Sequence, residues 1–332
     1  MKIHRGFRHP DLAPACALTI GNFDGVHRGH QAMLALLRNE AQHRGIPSCV
    51  MTFEPHPRDH FAAVTRNPAR APARVATLRD KLSELANCHV DQCVVLPFTA
   101  ALADLAPASF VEEVLVKGLG LRYVLVGDDF RYGARRAGDY TTLDASGLRL
   151  GFDVARMNSY QVHGLRVSSS AVRVALAAGR MDDAAALLGR PYAISGHVVH
   201  GGKLGRSLGF RTLNLRFAHW KPAASGIFAV HVHGLTQAPL TGVANLGIRP
   251  SLDASDVNGG RVLLETHCLD WPGQLGDEGA YGKIVRVELL HKLHDELKYQ
   301  SLDDLRQGIA RDCAEARAYF ASTRRQTTRD RI

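Results

Sequence analysis

The segment from residue 17 to residue 37 constrains the fold of this chain more than any other. An apolar run over residues 17–20 ends in a turn rich in Gly, Asn and Asp, and apolar residues recur at helical spacing from Met33 onward. This pattern predicts a strand, a glycine loop and a helix in succession. The open backbone N–H groups and the positive dipole end of such a helix form a ready anion site.

Two histidines, His27 and His30, flank the predicted helix start. Near a phosphate they can donate hydrogen bonds without a fixed charge, which suits charge that develops only in a transition state. Two alternatives stay open, since a glycine turn of this kind is often purely structural and two histidines can be half of a metal site. No cluster of further ligands at recognisable spacing follows, which argues against zinc.

The composition indicates two ordinary globular domains with an affinity for anions. The chain has 332 residues, of which 45% are hydrophobic and 22% charged, enough for two separate cores. The excess of 41 Lys and Arg over 32 Asp and Glu favours anionic partners. Because no basic stripe interleaved with aromatic residues and no common nucleic-acid motif is found, small phosphorylated ligands are favoured over nucleic acid.

The cysteines and the lack of long apolar runs predict a cytoplasmic location. The six cysteines form no C-x-x-C pair and no even spacing, which fits reduced thiols. There is no apolar core of signal-peptide length near the N-terminus and no run of 18 apolar residues. Neither export nor membrane association is therefore expected.

Nearly apolar strands alternate with helices through the first half of the chain. Strands are predicted over residues 17–20, 49–53, 93–96 and 123–126. Helices are predicted over residues 78–85 and from Ser109, where Ser109 and Glu112 form a capping-box pattern. This alternation predicts a parallel sheet that is covered on both faces.

Polar clusters follow three of these strands, at residues 21–30, 54–57 and 127–130. Ligands of open α/β sheets bind along the edge where the strands have their carboxyl ends, so the clusters predict one site. Polar residues must follow buried strands in any case, and this remains the alternative. The serines of residues 168–170, with Arg173 in the next helical turn, are either an ordinary N-cap or a phosphate-binding element.

The pattern changes near residue 186, which predicts domains over residues 1–185 and 186–332. Beyond this boundary come short β-like runs with Gly-rich turns, at residues 194–199, 227–232, 240–246, 262–269 and 284–290. Closely spaced strands without helices between them predict a small antiparallel barrel, which a helix over about residues 302–320 follows.

Three features of the second half could carry chemistry. The glycine loop over residues 200–209 either wraps phosphates or is a flexible hairpin. Thr212 and Asn214 share one face of a strand, where their oxygens could hold Mg²⁺. Glu265 shares a face with Leu263 and His267, although a carboxylate on a strand usually just faces solvent.

Together these motifs resemble the bacterial bifunctional riboflavin kinase/FMN adenylyltransferase (FAD synthetase) family over nearly the whole chain. Residues 21–30 are similar to the family's form of the HxGH nucleotidyltransferase signature. Three more segments of the first half follow in the family's order, residues 53–57, 127–133 and 167–173. The kinase-like segments of the second half are residues 189–192, 201–209, 242–247 and 281–282, with Glu265.

The resemblance implies a Rossmann-like nucleotidyltransferase domain, then a riboflavin kinase-like barrel with a C-terminal helix. It implies ATP contacts at Gly21, Phe23, Asp24, Gly29, His30, Ser169, Ser170, Arg173, Gly201, Lys203, Gly205, Arg206 and Gly209. It implies flavin contacts at His56, Asp129, Phe130 and Asn245, and Mg²⁺ ligands at Thr212 and Asn214. It implies catalytic roles for His27, His30, Arg173 and Glu265.

The implied reactions are phosphorylation of riboflavin to FMN and adenylylation of FMN to FAD, both with ATP. Ser170 replaces the family's usual Thr and keeps the hydroxyl. Two departures are larger, since Arg211 and Leu213 flank Thr212 where the family has Pro and Ala, and His294 stands where it usually has Arg. They motivate one alternative, a monofunctional FMN adenylyltransferase with a regulatory kinase-like domain. The basic charge supports another, a nucleic-acid-binding protein.

Overall fold

The computed structural model describes residues 1–162, 165–200, 209–216, 221–249, 261–276 and 278–329. The chain forms two compact units. The first comprises Met1–Pro72 and Lys81–Ser169, and the second comprises Ala73–Asp80 and Ser170–Ile332.

The first unit alternates strands and helices, as predicted. Its strands are β1 (Lys2–Arg5), β2 (Cys16–Ile20), β3 (Ser48–Glu54), β4 (Gln92–Pro97), β5 (Leu121–Gly127), β6 (Asp153–Met157), β7 (Gln161–Val162) and β8 (Leu165–Arg166). Its helices are α1 (Arg28–His43), α2 (Pro57–Val64), α3 (Leu78–Asn87), α4 (Ala100–Ala103), α5 (Pro107–Ser109), a π-helix (Phe110–Gly118) and α6 (Tyr140–Leu150). The first residues of α3 belong to the second unit.

In the described part of the chain, β1 to β6 form one parallel sheet in the order β1-β4-β3-β2-β5-β6. The predicted parallel sheet is confirmed. From β2 the chain proceeds to β3 and β4 on one side and later to β5 and β6 on the other. The crevice beyond the carboxyl ends of β2 and β5 is therefore a topological switch point, where such sheets bind ligands. The polar clusters predicted at strand ends follow β3, β2 and β5, which are neighbours.

Two edge strands and one helix start differ from the sequence prediction. The edge strands β1 and β6 were not predicted, because polar side chains interrupt their apolar pattern. The capping box at Ser109 is wrong, since Ser109 makes no side-chain capping bond and has helical angles, φ −64° and ψ −38°. An N-cap needs extended angles, and here Pro107 has already started the helix.

The second unit is the predicted antiparallel barrel. Its strands are β9 (Tyr192–Val199), β10 (Thr212–Arg216), β11 (Gly226–His233), β12 (Leu240–Arg249), β13 (Arg261–Cys268) and β14 (Ile284–His294). They close in the order β10-β13-β12-β11-β14-β9. The helices of this unit are α7 (Ser169–Ala177), α8 (Met181–Leu188) and α9 (Leu302–Arg329). The C-terminal helix is confirmed, and the barrel interior is filled by buried side chains such as Phe228, Leu246 and Leu264.

The boundaries of the two compact units differ from the domain boundary predicted near residue 186. The chain passes from one unit to the other after Pro72, Asp80 and Ser169. Val172 and Leu176 of α7 and Leu188 of α8 belong to the same buried cluster as the barrel interior, and Val75 joins them. Their apolar side chains place residues 73–80, α7 and α8 with the barrel. The boundary near residue 186 stays a prediction about the two functional modules.

Helix α9 covers part of the outer face of the barrel. Ala316 and Phe320 of α9 form a buried cluster with Ile227, Ala229 and Val243 of β11 and β12. At the edge of this contact, His294 Nε2 lies 2.9 Å from Asp312 Oδ1 and His294 Nδ1 lies 2.7 Å from the Asp295 carbonyl oxygen. His294, which stands where the family usually has Arg, thus links the end of β14 to α9 by a hydrogen bond.

The His294–Asp312 pair predicts a pH-dependent stability. Burial lowers the pKa of His294, but the hydrogen bonds to Asp295 and Asp312 outweigh it and raise the pKa above 6.5. The folded state then binds the proton more tightly, so the stabilisation is complete below about pH 6.5 and is lost as pH rises through the raised pKa. Asp312→Asn should lower the melting temperature about twice as much at pH 6 as at pH 8.5. Asp303→Asn on the same helix is the control, and an equal loss at both pH values would contradict the prediction.

Arg135 lies in the left-handed region, with φ 55° and ψ 20°. This conformation costs a side chain about 1–2 kcal/mol, whereas glycine adopts it readily. Arg135→Gly is therefore expected to stabilise the first unit by about 1 kcal/mol, seen as a melting temperature about 2–4 °C higher. Arg135→Ala keeps the backbone strain and should leave the melting temperature unchanged. A lower melting temperature for the glycine variant would show that the Arg135 side chain itself stabilises the loop.

Candidate active sites

The loop between β2 and α1 is tightly folded. The Gly21 N–H donates to the Met51 carbonyl at 3.0 Å, which holds the start of the loop against β3. Phe23 and Val26 adopt positive φ values of 49° and 42°, and Gly25 adopts 88°. Non-glycine residues in this region are strained, and such strain concentrates at functional sites.

Two glycines near the start of α1 are tightly packed. A Cβ on Gly21 would lie 3.1 Å from the Phe23 ring, and a Cβ on Gly29 would lie 3.2 Å from His27 Nδ1. A side chain at either position would therefore have to displace the neighbouring ring by a few tenths of an ångström. Their ATP contacts, and that of Phe23, stay predictions.

His27 is the N-cap of α1, a role that the residue type does not predict. Its Nδ1 accepts a hydrogen bond from the His30 backbone N–H at 3.3 Å. An accepting Nδ1 leaves the proton on Nε2 in the neutral ring. The His27 and His30 rings stack with centroids 3.6 Å apart, and the Phe23 ring lies 4.9 Å from His30. The two predicted histidines are thus brought together as one stacked pair.

The His30 ring is neutral. Burial lowers its pKa well below 6.5, and the charges of His27 and Lys81 lower it further. Its Nδ1 is buried and has no hydrogen-bond partner among the described residues. Since a buried unpaired polar atom is costly, this nitrogen is suited to a bound ligand.

Ser169, the last residue of the first unit, contacts this loop. Its hydroxyl donates to the Asp24 carbonyl at 2.9 Å, and Asp24 is buried. Ser170 and Arg173 belong to the second unit, where the Arg173 Nε donates to the Ala73 carbonyl at 2.6 Å. The phosphate contacts expected of these three residues and of Asp24 stay predictions.

Polar residues at the ends of β3 and β5 have local partners. His56 is buried as the N-cap of α2 and accepts a hydrogen bond from the Arg58 N–H at 3.1 Å. Asp129 is exposed and lies 3.3 Å from Arg166, and Phe130 stacks on Tyr132 at 5.5 Å. The flavin contacts implied for His56, Asp129 and Phe130 stay predictions.

An aromatic cluster that no sequence motif predicted lies at the carboxyl ends of β3 and β4. Phe53 packs edge-on against Phe98, and Phe98 also contacts His60 and Phe61 of α2, with ring centroids 5.4–5.8 Å apart. Phe61 remains 47% exposed. The signal in the sequence is the placement of aromatic residues on both sides of the Pro55–Pro57 corner.

A buried lysine is a second feature that the sequence motifs did not predict. Lys81 has no exposed surface and lies on the apolar side of α3.

In the second unit, three predicted residues form a row across the barrel wall. Asn214 of β10 and Asn245 of β12 both pair with Glu265 of β13 in the strand register. Directly paired residues of antiparallel strands share one face. Leu264 and Thr266 point inward and are buried, so Glu265 lies on the outer face. Thr212 pairs with His267 in the adjacent row of the same face.

The two amides beside Glu265 have buried side-chain oxygens. Asn214 Oδ1 and Asn245 Oδ1 are both buried, and neither has a hydrogen-bond partner in the part of the chain that the structure describes. They stand on either side of the carboxylate. Such oxygens suit a hard cation or a hydroxyl donor.

Arg211 is held by the neighbouring loop. Its guanidinium lies over the Trp271 ring at 4.8 Å and donates to the Gly276 carbonyl at 2.8 Å, while its own carbonyl contacts His267 Nδ1. The residue that replaces the family's proline thus fastens the start of β10 by contacts of its side chain.

The structure describes the glycine loop before β10 only at its two ends, His200 and Gly209. Gly209 is exposed and has a φ of 88°, and a Cβ there would meet no atom within 4 Å. The predicted phosphate contacts at Gly201, Lys203, Gly205 and Arg206 lie outside the described residues. All five stay predictions.

The two halves match different family models. Residues 9–171 match the model described as FAD synthetase, and residues 188–320 match the model described as riboflavin kinase. A solved structure described as a macrolide-efflux protein from Streptococcus pneumoniae has a TM-score of 0.73 at 23% identity, and covers 96% of this chain and 99% of its own. That likeness shows the fold alone. In the described residues, no helix has the length and apolar character to cross a membrane.

Curated relatives match from end to end. The bifunctional riboflavin kinase/FMN adenylyltransferase of Escherichia coli strain K12 is 44% identical over 326 residues, with 98% of this chain and 99% of the relative covered. The protein of the same name from Haemophilus influenzae is 39% identical over 323 residues, with 97% and 100% covered. Both modules and their order agree with these matches. The chain therefore belongs to the bacterial family of bifunctional riboflavin kinase/FMN adenylyltransferases.

Proposed function

We propose that this enzyme makes FAD from riboflavin in two steps, each of which consumes ATP. The second unit transfers the γ-phosphoryl group of ATP to riboflavin, which yields FMN and ADP. The first unit transfers the adenylyl group of another ATP to FMN, which yields FAD and pyrophosphate. The observation that carries the proposal is that each matched module has, at the predicted site, buried polar atoms that lack a partner among the described residues. These atoms are His30 Nδ1 in one module and the Asn214 and Asn245 side-chain oxygens in the other.

In the kinase step, Glu265 would accept the proton of the ribityl 5′-hydroxyl. The hydroxyl oxygen then bonds to the γ-phosphorus while the bond to the bridging oxygen of ADP breaks. Glu265 is half-buried and pairs with Asn214 and Asn245 in the strand register, and this position supports the role. Asn245 can orient the flavin substrate there.

We propose that Thr212 and Asn214 would hold Mg²⁺, which supplies charge neutralisation for the phosphates of ATP when bound. The donors fit this ion, since Asn214 Oδ1 is a buried oxygen that lacks a partner in the described residues. Among the residues that the structure describes, no group of three His, Cys, Asp or Glu side chains could hold a metal. Few protein ligands and several phosphate or water oxygens are the usual arrangement for Mg²⁺.

In the adenylyl transfer, a phosphate oxygen of FMN would attack the α-phosphorus of ATP, and the bond to pyrophosphate breaks. No covalent intermediate with the enzyme is needed. His27 and His30 would donate hydrogen bonds to the charge that develops on the phosphates, together with the N–H groups at the start of α1. The neutral state of His30 suits this role, because a neutral ring strengthens its bond only as charge appears.

We further propose that the aromatic cluster of Phe53, His60, Phe61 and Phe98 receives the flavin ring in the adenylyl transfer. These rings lie at the carboxyl ends of β3 and β4, beside the switch point, and Phe61 is open to solvent. Flat aromatic ligands stack on such side chains. A cytoplasmic location, where ATP is available and thiols stay reduced, fits the six free cysteines.

The test is to incubate the purified protein with Mg²⁺ and ATP, with either riboflavin or FMN, and to separate the flavins by chromatography. The proposal expects FMN and FAD from riboflavin, and FAD from FMN. FAD from FMN without any FMN from riboflavin would favour an adenylyltransferase with a regulatory barrel. No product from either flavin would overturn the proposal.

A further inference from the structure

Lys81 is a buried charge that the proposed chemistry does not use. Its exposed fraction is 0%, although lysine is almost never fully buried in globular proteins. It lies in α3, on the same side as Leu78, Leu82 and Leu85, where an apolar residue would continue the pattern. Taking an ammonium group out of water costs free energy. A lysine at this buried position is therefore expected to have a specific role.

A chain of hydrogen bonds leads from Lys81 to the β2–α1 loop. The Lys81 Nζ donates to the Thr52 hydroxyl at 3.3 Å, and the Thr52 hydroxyl donates to the Asn22 carbonyl at 3.2 Å. Thr52 has no exposed surface either. A charge on one helix thus polarises a hydroxyl of β3, which in turn holds a peptide group of the loop.

The peptide that is held precedes the strained part of the loop. The Asn22 carbonyl and the Phe23 N–H belong to one planar trans unit, so holding the carbonyl fixes the direction of the N–H. Phe23 then adopts its positive φ of 49°, and the loop leads into His27 and His30. A loop with several left-handed residues keeps its shape only when surrounding bonds over-determine it.

The charge of Lys81 also acts on His30. Together with burial and the neighbouring His27, it lowers the pKa of His30. The same charge acts on Cys93 of β4. Burial raises the pKa of the Cys93 thiol to about 12, and the charge of Lys81 opposes part of this rise. The ammonium group therefore lies near enough to the histidine pair to favour the neutral ring.

We propose that Lys81 is a positioning residue for adenylyl transfer, which acts through Thr52 on the backbone of Asn22. This inference depends on the proposed adenylyltransferase function of the first unit. Lys81 has no exposed surface, and its proposed contribution is to hold the loop that would bind the triphosphate in its reactive shape.

The experiment uses the full-length enzyme and the variants Lys81→Met, Thr52→Val and the double variant. Methionine keeps the length of the side chain without its charge, and valine keeps the shape of threonine without its hydroxyl. We expect Lys81→Met to lower kcat for FAD formation from FMN by about 10- to 100-fold, with KM for FMN within about 3-fold, because small misplacements of reacting groups act mainly on the chemical step. Lys117→Met, at an exposed lysine of the same unit, is the control and should leave kcat unchanged.

Two further readouts separate positioning from general stability. FMN formation from riboflavin, measured on the same preparations, should stay within about 2-fold of the wild type, because local misplacement acts on one reaction only. If Lys81 acts through Thr52, the double variant should be no slower than the slower single variant, whereas independent effects multiply.

Equal losses of both activities in Lys81→Met, multiplicative losses in the double variant, or an unchanged kcat for FAD formation would overturn the proposal. If Lys81→Met does not fold, Thr52→Val alone decides, since an unchanged kcat there would also overturn it. Failure of the wild type to form FAD from FMN would instead refute the proposed function, so the two failures are distinguishable.

Discussion

Glu265→Gln is expected to abolish the formation of FMN from riboflavin, with a loss of about 10²- to 10⁴-fold in kcat. Glutamine keeps the size of the side chain in its row between Asn214 and Asn245, but its amide cannot take up the proton of the ribityl hydroxyl. The measurement is the initial rate of FMN appearance with saturating ATP.

The same variant should form FAD from added FMN at the wild-type rate, since His27 and His30 lie in the other unit. Glu278→Gln, an identical change at an exposed position of the second unit, is the matched control and should leave both rates unchanged. FMN formation within about 10-fold of the wild type would exclude Glu265 as the general base, given the usual size of this effect.

His30→Ala is expected to lower kcat for FAD formation from FMN by about 10²- to 10³-fold, the usual effect of removing one donor to developing charge. The variant removes the ring that stacks on His27 and the buried Nδ1 that lacks a partner in the described structure. FMN formation from riboflavin should be unaffected, and KM for ATP should change less than kcat, because the lost bond strengthens in the transition state.

The control for this loss is His43→Ala, which makes the same change at an exposed position in the last turn of the same helix. Thermal melting of both variants distinguishes a lost donor from a loosened helix start. A rate for His30→Ala close to that of His43→Ala would contradict the assignment.

The parts of the fold that the sequence predicts are those with long, regular patterns. β2 to β5 are recognisable because strands buried on both faces are almost continuously apolar. β1 and β6 lie at the edges of the sheet, where polar residues break the pattern. The place of α7 and α8 beside the barrel depends on packing between distant residues, which no local pattern encodes.

The candidate sites divide in the same way. The shared face of Thr212 and Asn214 and the closeness of His27 and His30 follow from local spacing, because strand and helix periods decide which side chains share a face. The row of Asn214 and Glu265 joins two strands, β10 and β13, and no local spacing predicts it. The contacts of Arg211 with Trp271 and of Lys81 with Thr52 join residues from different elements, and only the folded chain brings them together. The role of His27 as an N-cap required the observed backbone of the loop.

The central claim is that one chain holds two complete and separate active sites. The most direct test is to mix two variants, each of which lacks one of the two activities. Neither Glu265→Gln nor His30→Ala should form appreciable FAD from riboflavin by itself. Their mixture with riboflavin, ATP and Mg²⁺ should form it, since one protein supplies FMN and the other adenylylates it. Failure of the mixture to form FAD, although each variant retains its one remaining activity, would contradict the account.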